Sequence, residues 1–408
     1  MATNVAAMSY RERRTYRFHQ KVAVVSTALT AAMVPLGLSG LVLGEFGFVL
    51  VASAYLALEV IWCLALGVMG VGYGLKFWAG VKLSLEDSQR EKLFISMAPN
   101  RTVWAGFYLN VGAGVLQELV LLGGILFLTP AKSWPLLLLV PLFMTVLMAF
   151  RIASWLYLMN TGAGKVRVWP VEAADVDAYA GIQKDAWGDA MSAERDKLWS
   201  RFNIYPEGIL VARQFGQPVG MVTTILLLEY NEDDPPSWDE ITDQGRCTTH
   251  EPSGRIMYGV DMSVASGTPE GVHNRLLLAC MGKIIREDLE CGILGGRMPG
   301  YHQHASEMSA EEYLWKTRES DGRPFDWQVR MYTGVPGVRV LKAIPDYFED
   351  PESLNWGVLL RWSNPFCSTV NRRWYNWPLY NRFTRSTLAY LVPLIADWQI
   401  KLSERKQG

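Results

Sequence analysis

The sequence predicts two fold classes in one chain: a membrane α-helical bundle of four transmembrane helices, followed by an α/β domain with a mixed central sheet. Three observations carry this. Four long apolar segments lie before about residue 160, each near the roughly 20 residues that a helix needs to cross a bilayer core of about 30 Å. After the joint Thr161-Gly162-Ala163-Gly164, the apolar pattern shortens to strand-length runs alternating with amphipathic stretches. Asp, Glu and most His residues also concentrate beyond that joint.

Of the 408 residues half are apolar, and the formal net charge is -1. That composition excludes a disordered chain and gives no bulk charge bias toward nucleic acid. The apolar segments are residues 22–43, 48–75, 103–128 and 134–158. Lipid offers no partner for backbone N–H and C=O groups, so such runs must be helical. Arg11, Arg13, Arg14, Arg17 and Lys21 precede the first segment, and Lys76, Lys82, Arg90, Lys92 and Arg101 lie in or beside the second connector. The connectors 44–47 and 129–133 carry little positive charge. The basic bias therefore puts residues 1–21 and the domain beginning near Lys165 on the cytoplasmic side of a bacterial inner membrane, with a multi-pass bundle at 22–160 between them. The first run has no small-residue cleavage site and is followed by three more, which reads as a span rather than a signal peptide.

Glu59, Glu118 and Arg151 fall inside or near the ends of these spans, with Gln117 beside the second. Charge is costly in hydrocarbon, so these side chains should face the bundle interior and pair. They either neutralise one another, with Arg151 reaching toward the interface, or form a polar path. Cys63, Cys247, Cys280, Cys291 and Cys367 show no C-x-x-C pair and no His at ligand spacing, so free thiols and no metal site are expected.

In the second half, residues 166–169 read as a strand, 171–187 as a helix, and 192–202 as a second helix capped by Ser192. Residues 208–214 and 219–229 flank a Phe215-Gly216-Gln217-Pro218 turn and read as a hairpin. A polar insertion over 230–253 precedes a strand at 255–264, a helix at 271–289 and a strand at 292–297. A helix near 310–318 and strands near 327–332, 338–343 and 358–362 complete a mixed α/β order.

That order, together with Gly295-Gly296-Arg297-Met298-Pro299-Gly300-Tyr301-His302-Gln303-His304-Ala305 and Met308-Ser309-Ala310-Glu311-Glu312-Tyr313, resembles the GNAT acyltransferase superfamily. It is similar to the GNAT-like domain fused to bacterial carbon-nitrogen hydrolases, including Pro345-Asp346-Tyr347 and Glu352-Ser353-Leu354-Asn355-Trp356 further on. The resemblance covers residues 165–364. It implies a thioester donor, acyl-CoA or acyl carrier protein, gripped by the turn opening the helix after the fourth strand. Gly271, Val272, His273, Asn274 and Arg275 stand there. Free amides at a helix start favour phosphate, although Pro269 supplies no N–H and Glu270 adds a negative charge. The resemblance also implies that Met262, Ser263 and Val264 line the thioester, that Asp261 is the candidate base, and that Tyr301 and His302 serve proton transfer; His304 stands close behind. Structural roles stay open for each: Asp261 as a hydrogen-bond acceptor, Tyr301 and His302 as fasteners of their turn.

The segment 365–408 carries Asn371-Arg372-Arg373-Trp374-Tyr375-Asn376-Trp377 and an apolar run at 388–395 with Pro393 inside. Trp, Tyr and Arg together suit lipid headgroups, so an aromatic and basic interfacial tail is expected, with docking onto the bundle as the rival. The expected function is transfer of an acyl group to an amine of a lipid-like or membrane-delivered acceptor. Its expected partners are the lipid bilayer, a hydrophobic substrate and further membrane-complex subunits, with no nucleic acid. A non-catalytic binding or scaffold module is the alternative, and a polar path through the helices a third reading.

Overall fold

The computed structural model describes residues 10–32, 101–128, 139–162, 165–368 and 382–407, with six positions between 54 and 64. Two units divide the chain, Met1–Lys165 with Gln214–Gln217, and Val166–Arg213 with Pro218–Gly408.

The first unit contains α1 (Tyr10–Ala32), α2 (Arg101–Leu128) and α3 (Leu139–Gly162). Both α1 and α2 pack on α3, around Val103, Phe107 and Met159. Beside that core, the described side chains mix buried polar groups with exposed apolar ones. Asn110, Gln117, Arg151 and Ser154 are buried, while Tyr108, Leu116, Leu119, Leu142 and Phe150 are each more than half exposed. Inside, His19 Nδ1 lies 3.0 Å from Ser154 Oγ, and the His19 ring stacks on Tyr157 at 4.2 Å. Among the described residues no helix is long and apolar enough to cross a membrane. The described part of the first expected span belongs to a helix whose first half is the basic stretch before it. Glu59 and most of residues 33–100 lie outside the described residues.

The second unit is built on a seven-stranded sheet in the order β1-β2-β3-β4-β5-β7-β6. Its strands are β1 (Arg167–Pro170), β2 (Ile209–Gln214), β3 (Gln217–Leu227), β4 (Ile256–Val264), β5 (Cys291–Arg297), β6 (Val338–Ile344) and β7 (Gly357–Ser363). β4 and β5 are parallel, and a parallel pair needs a long crossover, here supplied by α7 (Val272–Arg286). The remaining helices are α4 (Val176–Met191), α5 (Arg195–Ile204), α6 (Trp238–Thr242), α8 (Ala310–Trp315), α9 (Trp327–Thr333) and α10 (Arg382–Gln407).

Alternation along the strands sorts the layers. Ile209, Val211 and Met221 meet Tyr179, Ile182 and Leu198 on the face covered by α4 and α5. Leu210, Val222 and Met257 meet Val272, Leu276 and Ile284 of α7 on the opposite face. Four described cysteines, Cys247, Cys280, Cys291 and Cys367, are free and buried.

Two expectations are corrected, and the packing of the tail is added. Residues 327–332, read as a strand from their Trp, Val and Tyr content, form helix α9. Asp326 accepts from Gln328 N at 2.8 Å and Val329 N at 3.1 Å, a cap that starts a helix despite the β propensity of the residues after it. Ser192 closes α4 rather than capping α5, which begins after Glu194. The tail helix α10 docks on its own domain: Ala389, Ala396 and Ile400 pack on Leu278, Met281 and Ile285 of α7. Gly282 makes that approach possible, since a Cβ there would stand 2.8 Å from Ala389 O. Residues 369–381, with most of the Trp-Tyr-Arg cluster, lie outside the described residues.

Candidate functional site

The site starts from a conflict of partners in the sheet. β4 stays on β3 as far as Val264, and β5 stays on β7 as far as Arg297. The two strands pair with each other only from Ile256↔Cys291 to Gly259↔Leu294. Beyond that point each follows its outer neighbour and they part. A β-bulge sharpens the departure: Thr223 faces Asp261 and Thr224 faces Gly259, which leaves Val260 as the extra residue. Its carbonyl is satisfied by Trp238 Nε1 at 2.8 Å. The insertion 230–253 therefore braces the site, and α6 is set by a capping box between Ser237 and Glu240.

Asp261 sits just past the parting on the α4/α5 face. Its Oδ2 accepts from Gln183 Nε2 at 3.0 Å and pairs with the buried guanidinium of Arg201. Arg201 is fixed in turn by Nε donating to Gly245 O at 2.6 Å. Burial alone would lower the Arg201 pKa, but Asp261 outweighs it and the guanidinium is held above its ordinary value. Asp261 Oδ1 is buried with no hydrogen-bond partner. A half-satisfied carboxylate is costly in a protein interior, so this oxygen is free to accept from a ligand.

Next to it, Ser263 Oγ accepts from Trp187 Nε1 at 2.7 Å, and Arg297 stacks on the Trp187 ring at 5.3 Å. Arg297 is anchored by two bonds of 2.7 Å to the Asp350 carboxylate and one of 2.8 Å to Glu352. Burial raises Asp350, yet the Arg297 bonds outweigh it and hold the carboxyl below its ordinary value. Trp187 and Arg297 thus bridge the parted strands on this face. Ser263 is fully buried beneath them. Met262 and Val264 point the other way, toward α7.

The Gly-Gly-Arg-Met-Pro-Gly stretch ends β5 and turns the chain. A Cβ on Gly295 would collide with the Tyr347 ring, and one on Gly300 with the Tyr313 hydroxyl. Asp326 Oδ2 ties the turn by accepting from Gly300 N at 3.2 Å and Tyr313 O–H at 3.1 Å. Tyr301 is buried, with its hydroxyl donating to Met308 O at 3.5 Å. His302 Nδ1 lies 2.9 Å from both Pro299 O and Glu352 O. Two carbonyl neighbours require the proton on that nitrogen. His304 stacks on Tyr313 at 5.5 Å. These three side chains fasten the turn.

The residue that does reach the parted strands is Tyr332 on α9. It is buried, it packs against Gly296 at the end of β5, and it lies in the fields of Arg297 and Asp261. Burial raises its pKa, offset in part by Gln328 and Arg297, which keeps the phenol protonated. Sequence reasoning missed it because its segment was read as a strand. Arg201, Gln183 and Trp187 were missed as ordinary helix residues; the one available signal was their place on helices preceding the hairpin.

Beyond the C-terminal end of β4, Gly271 takes a positive φ of 82° and caps α7. Val272 turns inward to the core. His273 is half-buried, and burial lowers its pKa, so it brings no charge near neutral pH. Arg275 pairs with Asp397 of α10 at 3.2 Å. What remains for a phosphate is the set of backbone amides opening α7, together with Asn274. Among the described residues no group of His, Cys, Asp and Glu could hold a metal ion.

A sheet whose parallel central strands part beside a buried carboxylate, with a helix N-terminus at the end of one strand, defines an acyltransferase-type α/β domain. Similarity to known proteins narrows this. The chain is 32% identical over 198 residues to the uncharacterized N-acetyltransferase YkwB of Bacillus subtilis, a match covering 47% of this chain and 86% of that protein. The chain belongs to the GNAT N-acetyltransferase family through this α/β unit. It is also 30% identical over 215 residues to the probable hydrolase YhcX of the same organism, and that match spans 52% of this chain but only 41% of YhcX. Among solved structures, the loading GNAT-like domain of CurA from Lyngbya majuscula matches at 18% identity and a TM-score of 0.42, over 48% of this chain and 97% of that one. The GNAT-like decarboxylase of GphF, in complex with isobutyryl-CoA, matches at 21% and 0.42, over 48% and 98%. No protein-family model matches the chain.

Proposed function

We propose that this protein is a membrane-attached N-acyltransferase that moves an acyl group from a thioester, acyl-CoA or acyl carrier protein, to an amine of a lipid-like or membrane-delivered acceptor. The observation that carries the reading is the buried, unpartnered Asp261 Oδ1 at the point where β4 leaves β5. An acceptor amine donating to that oxygen would be aimed at a thioester carbonyl lying along the parted strands. The amine nitrogen then forms the C–N bond, the C–S bond breaks, and the Tyr332 hydroxyl supplies the proton that the leaving thiolate takes up. The proton lost from the amine passes to solvent, and the Tyr332 phenolate regains one from solvent. Asp261 acts here as the acceptor that orients the amine, its other oxygen being committed to Arg201 and Gln183.

Membrane attachment is supported by the exposed Leu, Val and Phe side chains of the helical unit and by the polar Asn110, Gln117 and Arg151 enclosed within it. It is supported again by the outer face of α10, where Tyr390, Leu391, Leu394, Ile395 and Trp398 are exposed, a composition suited to lipid headgroups. Attachment of this kind raises the local concentration of a substrate that partitions into the bilayer. The cytoplasmic face of a bacterial inner membrane is the proposed location, from the basic residues flanking the spans.

A second reading, a non-catalytic GNAT-like binding or scaffold subunit, is favoured by the closure of Ser263 beneath Trp187 and Arg297. One experiment separates them: full chain, detergent-extracted, is incubated with acetyl-CoA and a panel of amines, and free thiol release is followed. Amine-dependent release that Tyr332→Phe suppresses supports the enzyme. No thioester binding and no release with acyl-CoA or acyl carrier protein leaves the scaffold reading standing.

A further inference from the structure

On the α7 side of the sheet lies a cavity of about 70 Å³ to which the acyl transfer assigns no role. Gly259 and Leu294, the last pair that β4 and β5 form, line one end of it. Leu277, Cys280 and Ile284 of α7 form its roof, and Leu360 of β7 part of its floor. Of the polar side chains that border it, Thr224 and Arg361 are engaged elsewhere, and Trp362 contributes an indole. Thr224 donates to Gly208 O at 2.8 Å, and the Arg361 guanidinium pairs with Glu232. Cys280 is no nucleophile, because burial pushes its thiol up to about 12. A space lined almost wholly by apolar side chains does not hold water well, and suits a hydrocarbon.

Its position says which hydrocarbon. Asp261 and Ser263 face α4 and α5, whereas Met262 and Val264 face α7. An amine approaching Asp261 and an acyl tail directed at Gly259 and Leu294 would therefore come to the parting strands from opposite faces of the sheet. We infer that this cavity is the acyl-chain pocket of the donor, and that the donor carries an aliphatic acyl group longer than acetyl. The inference rests on the acyltransferase reading, and it adds a substrate class to it.

The test compares acetyl, butyryl and hexanoyl thioesters of pantetheine, which lack the nucleotide and so serve whether the natural carrier is CoA or acyl carrier protein. Each methylene moved from water to an apolar site is worth about fourfold in binding, so butyryl should exceed acetyl in kcat/KM by about tenfold or more. Filling the cavity with Cys280→Met should bring that ratio close to one. A parallel measurement reads the cavity without any reaction: hexan-1-ol at millimolar concentration should raise the Tm of the full chain and fail to raise that of Cys280→Met. If the substitution prevents folding, Leu277→Phe replaces it. A wild-type optimum at acetyl, or a chain-length profile that Cys280→Met leaves unchanged, overturns the inference. Hexan-1-ol stabilisation with no thioester turned over at any length would defeat the donor reading while leaving an apolar ligand pocket. Absence of that stabilisation, with acetyl transfer intact, defeats the pocket alone.

Discussion

Asp261 and Arg201 show how a single buried pair can serve both stability and binding. Arg201 is almost wholly enclosed, so Asp261→Asn would leave a guanidinium in the interior without its counter-charge. The expected loss is about 3–5 kcal/mol, read as a lower denaturant midpoint, with Arg201→Met in the same chain recovering most of it. Tyr332→Phe tests a different property. It keeps the ring in its packing and removes the proton, so amide formation should fall by about 10²–10⁴-fold, while stability changes by about 1 kcal/mol or less. The same exchange at Tyr301, whose hydroxyl is spent on Met308 O, should slow the reaction far less. Of Asp261, Arg201 and Tyr332 only Asp261 was marked in the sequence, through the fourth-strand position that the family resemblance implied. An Arg or Gln on an amphipathic helix carries no such mark, since nothing local says which strand it will face.

At the level of elements, α7 is where fold and site meet. Burial lowers both His273 at its start and His250, which stacks on Tyr205 at 4.1 Å. A depressed folded-state pKa means that the native protein resists a proton that the unfolded chain accepts below about pH 6.5. The stability these imidazoles contribute is therefore full above that value and is lost as pH falls from it toward the folded pKa. Thermal unfolding tracked from about pH 7.5 to about pH 5.5 should show Tm dropping, and His273→Asn should flatten part of the slope. On the other side of the helix, Gly282→Val would push a side chain into the backbone of α10 at Ala389. We expect a loss of about 1–3 kcal/mol, seen as faster amide exchange along α10. The limits of β4 and β5 and the start of α7 were legible from apolar period and turn residues, whereas α4 and α5 begin and end a few residues beyond the expected 171–187 and 192–202. Helix α9 was not legible, because a one-turn cap by Asp326 outweighed three residues that favour strands.

For the molecule as a whole, the decisive pattern is the contrast between two surfaces. The α/β unit buries Ile, Val and Leu in the ordinary way, whereas among the described residues the helical unit leaves several Leu and Val side chains exposed and encloses Asn110, Gln117 and Arg151 beside a small apolar core. Expressed in bacteria, the full chain should sediment with membranes and resist alkaline carbonate extraction. Recovery in the soluble fraction would remove the bilayer from the proposed function and leave the acyltransferase site unaffected.

The sequence by itself determined the division near residue 165, the α/β class with its parallel pair, and the family, since apolar period, glycine-bearing turns and a long local motif are all written in neighbouring residues. Tertiary structure alone decided what the chemistry-bearing groups do. It drew Arg201 and Gln183 onto Asp261 across 60 and 78 residues of chain, tied Arg275 to a helix more than a hundred residues away, and brought Tyr332 beside the parted strands. Such pairings depend on which surfaces meet when the core closes, and that information is spread over the whole fold rather than held in any one segment.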